Sequence, residues 1–511
     1  MEETHVYAHR SSLRALGLLC RGLRGLNFKN FSRRQGSLHA RNVSAETHVL
    51  SKQTYPLTRW KVSHYTHCIK IKDRAGIFYN GYSGAIIELS LNAYQKAYHI
   101  LKQLSTSDYL SKKIEEDRLF SHLVAGGFIV DAQVDEIALI ENQYESERRK
   151  SKFLLTILPT FTCNLNCAYC FVSKKQGTMT PAIQEQIVHF IANHLRTHSI
   201  PSMNVDWLGG EPLLALPTIQ FISRELQKLS DSLGIPYSAQ VITNGTLLTK
   251  KSIRLLQRAG VDRLQVTIDG PREIHDQRRG FKSDNESSFA AILSGLEQAI
   301  GKFVIRLRIN IDSYNINEVL PLLDLFKQRG WLGPDTMFFP YLARLSPFTE
   351  ACANVANHSC GISEFQKINF KWWNHLEQLG VQVAFQPLYE FPEPRLYNCG
   401  AVSPNSYIFT PEGEIHKCGL TIDDSTQAIG RIDETLEVDL SNSRQWLEYS
   451  PFRNPVCRAC KFIPTCLGGC PRNQIQKRKM QISENCIYYR RFELEILRFH
   501  MKLTKIHKSL T

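Results

Sequence analysis

No uninterrupted apolar stretch in this chain of 511 residues reaches the roughly 18 to 20 residues that a membrane-spanning helix needs, so no membrane role is expected. Acid is in short supply: 48 Asp and Glu stand against 62 Lys and Arg, a formal charge of +14. That excess is spread through the chain and no groove-binding motif accompanies it, so no nucleic-acid partner is expected either. The Arg-Arg pairs at 33–34, 148–149, 278–279 and 490–491 read as solvated faces or local ion pairs. A disulfide framework is also missing. Of fourteen cysteines, ten fall into two arrays of short spacing, which in a large protein indicates metal. Such thiolates need a reducing compartment, hence an expected cytoplasmic location. The other four, Cys20, Cys68, Cys352 and Cys360, read as small buried hydrophobes. The length exceeds one ordinary core, so two or three domains are expected.

The first array is Cys163, Cys167 and Cys170, spaced C-x3-C-x2-C just after the apolar run Phe153–Leu158. Three thiolates supply three of the four iron ligands of a cubane cluster and leave one iron open to a substrate-like molecule. A zinc site wants a fourth Cys or His, and none stands in the loop; the nearest histidine, His189, lies in the next helical segment. Structural zinc or plain buried thiols remain the alternatives. In its surroundings, Cys163-Asn164-Leu165-Asn166-Cys167-Ala168-Tyr169-Cys170, this segment resembles the radical S-adenosylmethionine (radical SAM) superfamily. Downstream, Trp207-Leu208-Gly209-Gly210-Glu211-Pro212 is similar to that family's GGEP segment. By the resemblance, the two glycines let main chain approach the methionine part of SAM. The segment, with a carboxylate suited to an ammonium, helps hold its amino group.

The second array reads Cys399-x13-Gly413-x4-Cys418, a gap, Cys457-x2-Cys460-x5-Cys466-x3-Cys470, another gap, and Cys486. It resembles the SPASM domain, the auxiliary-cluster module of peptide-modifying radical SAM enzymes; a double zinc ribbon is the competing reading. The resemblance implies one auxiliary [4Fe-4S] cluster on Cys457, Cys460, Cys466 and Cys486. It implies a second on Cys399, Cys418 and Cys470, whose fourth ligand the sequence does not show: Cys360, or an iron left open to substrate. Ser406–Phe409 and Glu414–Lys417 flank Thr410-Pro411-Glu412-Gly413, a tight hairpin with Gly413 in the left-handed region that draws Cys399 and Cys418 together.

The organisation follows. Residues 1–54, basic and acid-poor, read as a disordered extension whose composition resembles a transit peptide. Residues 55–150 form an α+β unit: strands His67–Lys72, Gly76–Asn80 and Gly84–Leu89, a helix around Tyr94–Leu101, a second over Lys112–Val124, then 126–131 leading into a third. Its pattern resembles the winged-helix peptide-recognition element of peptide maturases; a cap on the barrel is the plainer alternative. Residues 151–345 alternate strands (Phe153–Leu158, Met203–Trp207, Ser238–Ile242, Arg263–Ile268, Val304–Asn310, Thr336–Tyr341) with helices such as Ala182–Leu195, Thr218–Leu233 and Phe289–Ile300. Six such units fit the family's partial (β/α)6 barrel, with every motif at a strand's carboxyl end. Residues 346–398 read as a helical linker, 399–490 as the SPASM domain and 491–511 as a helix end and tail.

The expected fold is therefore α/β: a partial barrel between a winged-helix-like unit and a cysteine-rich domain. The resemblance implies reductive cleavage of SAM to methionine and a 5′-deoxyadenosyl radical, with the cofactor carrying the hard step. It places Tyr169 at the adenine-contacting position and Thr267 where a family Ser contacts the methionyl group. Asn244, Arg308 and Asn310 complete the expected pocket. Asp312, Tyr389 and Glu390 are conceivable bases that nothing singles out. The expected partners are a peptide or protein substrate with a leader, docking on a strand edge, and an electron donor such as ferredoxin or flavodoxin. Excess positive charge suits an acidic leader or redox partner. Maturation of a ribosomal peptide, by crosslink or side-chain oxidation, is the leading expectation. An anaerobic sulfatase-maturating activity is the runner-up; those enzymes carry an Asp directly after the cysteine corresponding to Cys418, where this chain has Gly419. A zinc-stabilised peptide-binding scaffold is the non-enzyme alternative.

Overall fold

Strand pairing and burial explain how three sequence regions converge on one face. The computed structural model describes residues 5–7, 59–71, 75–107, 110–283, 286–333, 336–381, 393–432, 441–476, 493 and 495–497. Its first strand, β1 (His5–Tyr7), is the one described part of the 1–54 stretch. There follow β2 (Trp60–Val62), β3 (Thr66–Ile71), β4 (Ala75–Asn80), β5 (Ile86–Ser90) and β6 (Ile129–Asp131). An antiparallel sheet runs in the order β1-β5-β4-β3. Successive residues of β4 point to opposite faces. Phe78 packs with Tyr94 and Ala97 of helix Leu91–Leu104, while Ile77 and Tyr79 pack against Phe462, Ile496 and Leu497. The sheet is thus covered on both sides, and one cover comes from the C-terminal region. Lys112–Val124 is not one helix. Asp117 accepts from Leu119 N at 2.8 Å and starts a second, so the elements are Lys112–Glu115 and Arg118–Ala125. After residues 126–128 comes β6, paired antiparallel with β2, and only then helix Glu136–Arg149.

The barrel strands are β7 (Phe153–Ile157), β8 (Met203–Trp207), β9 (Tyr237–Ile242), β10 (Val261–Thr267), β11 (Val304–Ile311) and β12 (Phe338–Arg344), parallel and adjacent in chain order. In β7 and β8 buried and half-buried residues alternate. Phe153, Leu155, Met203 and Val205 belong to the core beneath the helices, and the intervening Leu154, Thr156, Asn204 and Asp206 take the opposite, concave face. Helices Pro181–Thr197, Leu216–Leu233 and Ser288–Ala299 fall where expected; Lys250–Arg258, Arg272–Arg279 and Pro321–Gln328 complete the outer layer. Helix Ile362–Gln378 buries Trp372, Trp373 and Leu376 in the same core, so this part of the 346–398 linker is integral to the barrel.

The C-terminal strands β13 (Ser406–Phe409), β14 (Glu414–His416) and β15 (Gly430–Arg431) extend the barrel sheet instead of forming their own. β13 runs parallel to β7, Ser406 opposite Leu154 and Phe409 opposite Ile157, and β14 returns antiparallel. Gly413 has φ +83° in the expected hairpin. Arg148, read as solvated or locally ion-paired, is buried, pairs with Glu145 at 2.7 Å and donates to Val402 O at 3.1 Å and Leu447 O at 2.7 Å, tying the N-terminal unit to the C-terminal region. Its neighbour Arg149 is exposed, as expected.

Candidate active site

The cysteine loop leaves the carboxyl end of β7 and is gripped from two sides. Gly210 N donates to Thr160 O at 3.0 Å and Glu211 N to Thr162 O at 2.8 Å. A Cβ on Gly209 would lie 2.3 Å from Thr160 O, and one on Gly210 2.3 Å from Phe161 O and Thr162 O. The glycine pair therefore permits main chain to meet the loop's own approach strand. On the other side Lys282 N donates to Asn164 O, Asn166 N to Gly280 O at 2.9 Å and Ala168 N to Arg278 O, with a bridge between Leu165 and Phe281. The segment 278–282 is in effect a second strand along the loop.

Glu211 is fully buried, and its carboxylate accepts from Asn244 N and Thr243 Oγ1 at 2.7 Å each and from Leu213 N at 3.0 Å. Burial pushes its carboxyl up, against the pull of those three donors and of Arg279. Three convergent donors match a carboxylate whose capacity is committed to joining the ends of β8 and β9. Asn244, so fixed, turns Nδ2 towards Asn164 Oδ1 at 2.8 Å and Cys163 Sγ at 3.9 Å.

Of the remaining expected pocket residues, Tyr169, Arg308 and Asn310 share one network. Tyr169 hydroxyl bonds to Asp269, receives Arg279 Nη1 at 2.7 Å and Asn310 Nδ2 at 3.1 Å. Arg308 Nε donates to Asn310 Oδ1 at 2.7 Å, and Thr267 stands opposite Arg308 in the sheet register. The phenol of Tyr169 is thus occupied. Burial would raise Asp269, but Arg279 and Arg278 outweigh it and hold the carboxyl below the usual range. Asp312 is fully buried and receives Arg278 Nη1 at 2.6 Å, Tyr314 N at 3.0 Å and the His358 ring at 3.0 Å, so it is a structural carboxylate. Tyr389 and Glu390 lie outside the described residues. Arg278 and Arg279, read as a solvated face or a local ion pair, are buried in this network, with Arg278 ion-paired to Asp269 and Asp312. Sequence reasoning missed them because the helix Arg272–Arg279 is charged along most of its length; the only signal was their position after Asp269-Gly270-Pro271.

All twelve described cysteines are free thiols. Burial pushes Cys163 up to about 11 and raises Cys167 and Cys170, and Cys163 and Cys170 each respond to charge on Cys167. In the second array, burial and the nearness of Cys399 and Cys470 push Cys418 up to about 11. Cys457 and Cys466 both neighbour Tyr449. Cys360 belongs elsewhere: its thiol donates to Ile311 O at 4.0 Å, and Arg344, Glu364 and Asp312 surround it. Cys486 lies outside the described residues. No three of the described acidic, histidine or cysteine side chains already stand in ligating geometry. The donor set nonetheless fits an iron–sulfur cluster: three neighbouring soft thiols on one loop, no fourth protein donor among the described residues, and beside them a buried guanidinium with no direct ion pair and one unpaired N–H.

Residues 157–331 match the radical SAM superfamily. The chain is 24% identical over 359 residues to a cysteine-type anaerobic sulfatase-maturating enzyme of Clostridium perfringens, covering 65% of this chain and 92% of that one. It is 32% identical over 180 residues to an AdoMet-dependent heme synthase of Methanosarcina barkeri, covering 34% of this chain and 46% of the relative. The structure of native anSMEcpe with bound AdoMet and the Cp18Cys peptide superposes with a TM-score of 0.53 at 20% identity, over 70% of this chain and all of that one, a likeness of fold. Among the described residues no helix is long and apolar enough to cross a membrane.

Proposed function

Because its radical SAM domain over residues 157–331 makes this chain a radical SAM enzyme, we propose that it modifies a ribosomally made peptide, by crosslinking or side-chain oxidation. A [4Fe-4S] cluster on the cysteine loop, with SAM bound, would supply the radical chemistry. The protein's own residues do the positioning. Cys163, Cys167 and Cys170 hold the cluster, Gly209 and Gly210 seat the loop, and Glu211 fixes Asn244 beside it. Thr267, Arg308 and Asn310 line the concave face that would receive SAM. Cys457, Cys460, Cys466 and Cys486 hold one auxiliary cluster, and Cys399, Cys418 and Cys470 the other. The observation that carries the substrate class is the N-terminal sheet. Ile77, Tyr79 and Ile86 pack on Phe462 beside Cys460 and Cys466, so a leader held by that sheet delivers its core peptide next to the auxiliary site. Residues 55–150 are on this reading a peptide-recognition unit, and the donor of electrons is a ferredoxin or flavodoxin in the cytoplasm.

Sulfatase maturation is the second reading, favoured by coverage of 92% of the C. perfringens relative. Against it stands the position after Cys418, which is Gly419. The nearby carboxylate of Asp423 is held by Ser173 N and Ser173 Oγ, the latter at 2.8 Å.

Anaerobic purification with iron and sulfide quantitation should give about twelve iron per chain, the content of three cubane clusters. Replacing Cys163, Cys167 and Cys170 together by Ala should abolish deoxyadenosine formation and leave about eight iron. Persistent cleavage refutes the site assignment. Near-stoichiometric zinc without sulfide would instead support a binding scaffold.

A further inference from the structure

Two adjacent arginines on one helix end have opposite electrostatic situations. Arg278 is neutralised twice, by Asp269 at 3.3 Å and Asp312 at 2.6 Å. Arg279 forms no ion pair among the described residues. Its partner is the Tyr169 hydroxyl, and its Nε–H, fully enclosed, has no acceptor. It is buried to 8% exposure, where a cation is costly unless negative charge lies near it. Its hydrogen bond to Tyr169, the residue between Cys167 and Cys170, holds it beside the cysteine loop, and its charge acts on both those thiols and on Asp269, Glu211 and His275. Asp269 is shared with Arg278, and Glu211 is committed to its three donors. A buried cation with a free donor beside two thiols marks the place of an anion. A cubane on three thiolates is one, and it gains a further negative charge on reduction.

We propose that Arg279 is the counter-charge of the cluster on Cys163, Cys167 and Cys170 and sets its reduction potential. It acts through the cluster, so it is a positioning residue. Its own position is fixed by that of the thiols, because 278–282 is zipped along the cysteine loop by three main-chain hydrogen bonds. The same construction explains why the Tyr169 ring lies 5.2 Å from the Arg278 guanidinium and 5.8 Å from that of Arg279. The aromatic face shares the charge and keeps both groups from water. A positive charge held in a water-poor site favours the more negative partner of a redox couple, so Arg279 raises the potential and eases electron entry. This inference rests on the radical SAM reading of the loop but not on any peptide substrate.

The test is a redox titration followed by electron paramagnetic resonance on the full-length, reconstituted protein. The signal that changes on adding SAM reports this cluster; signals indifferent to SAM report the auxiliary ones. Arg279→Gln should lower the reduced-to-oxidised ratio at fixed poise at least tenfold, about 59 mV for one electron, without moving the SAM-indifferent signals. Arg279→Lys should keep most of the wild-type value. A purely structural role predicts the reverse: equal effects of Lys and Gln, or iron loss without a shift. An unmoved midpoint in Arg279→Gln with full iron overturns the proposal, as does Lys behaving like Gln. Should the Gln variant fail to load, Tyr169→Phe, which frees the guanidinium from its anchor, decides: a negative shift supports the proposal and an unmoved midpoint overturns it. Absence of any SAM-responsive signal in the wild type would refute the radical SAM reading itself, which is a different failure.

Discussion

Removing the Glu211 carboxylate isolates the part of the site that depends on no cofactor. Three donors converge on it: Asn244 N, Thr243 Oγ1 and Leu213 N. Glu211→Ala leaves all three in a region closed to solvent. Each unsatisfied buried donor costs about 1 to 3 kcal/mol, so the loss should be roughly 5 kcal/mol, within bounds of about 3 to 9. Whole domains are stable by only about 5 to 15 kcal/mol, so this variant sits near the limit of folding. Glu211→Gln retains one oxygen for Leu213 N and Thr243 Oγ1 but presents an amide NH2 to Asn244 N. Its cost should be about 2 to 3 kcal/mol. Anaerobic guanidinium unfolding of the cluster-free protein reads both numbers. Iron uptake then follows Asn244, whose placement against Cys163 depends on Glu211. An Ala variant within 1 kcal/mol of the wild type would refute the claim that this carboxylate locks β8 to β9, and would return it to the role of an ammonium contact.

Gly210→Ala places a methyl group 2.3 Å from two main-chain oxygens of the loop approach, which cannot yield as a side-chain end does. The variant should lose about four iron per chain on reconstitution and with them SAM cleavage, while retaining the auxiliary clusters. Acid should destabilise the fold through His275. This ring is fully buried and accepts from Asp269 N at 3.2 Å, and burial, with Arg279 beside it, pushes it down to about 4. The unfolded chain takes up that proton near pH 6.5, so stability is intact above this value and falls between about pH 6.5 and 4, by roughly 3 kcal/mol. A stability–pH curve measured by urea unfolding checks it, and His275→Asn, which keeps an acceptor and cannot ionise, should flatten the limb.

The barrel and both cysteine arrays were legible because their signals are local. Apolar runs such as Phe153–Ile157 declare a strand, and short cysteine spacings declare a metal. What escaped was long-range. The three-residue strands Trp60–Val62 and Ile129–Asp131 carry too little pattern to announce a pairing across some seventy positions. The hairpin at 406–416 was visible, but nothing in it says that its first strand joins β7. Arg278 and Arg279 sit in the helix sequence Arg-Glu-Ile-His-Asp-Gln-Arg-Arg, which reads as solvated. The burial of Arg278 depends on Asp269 and Asp312 arriving from the ends of two other strands, and that of Arg279 on Tyr169 of the cysteine loop. The same applies to Glu211, legible as a motif residue, whose donors come from another strand end.

The edge pairing of β7 with β13 bears on how this protein is made. Leu154 meets Ser406, roughly 250 residues later in synthesis, which at 5 to 20 residues per second is some 12 to 50 seconds of elongation. Until then the nascent strand preceding the cysteine loop has one flank unpaired, and contacts of such sequence separation form slowly. Iron delivery is therefore expected to follow the emergence of β13, and products terminated before it should be substrates for chaperones and proteases instead of partly active enzymes.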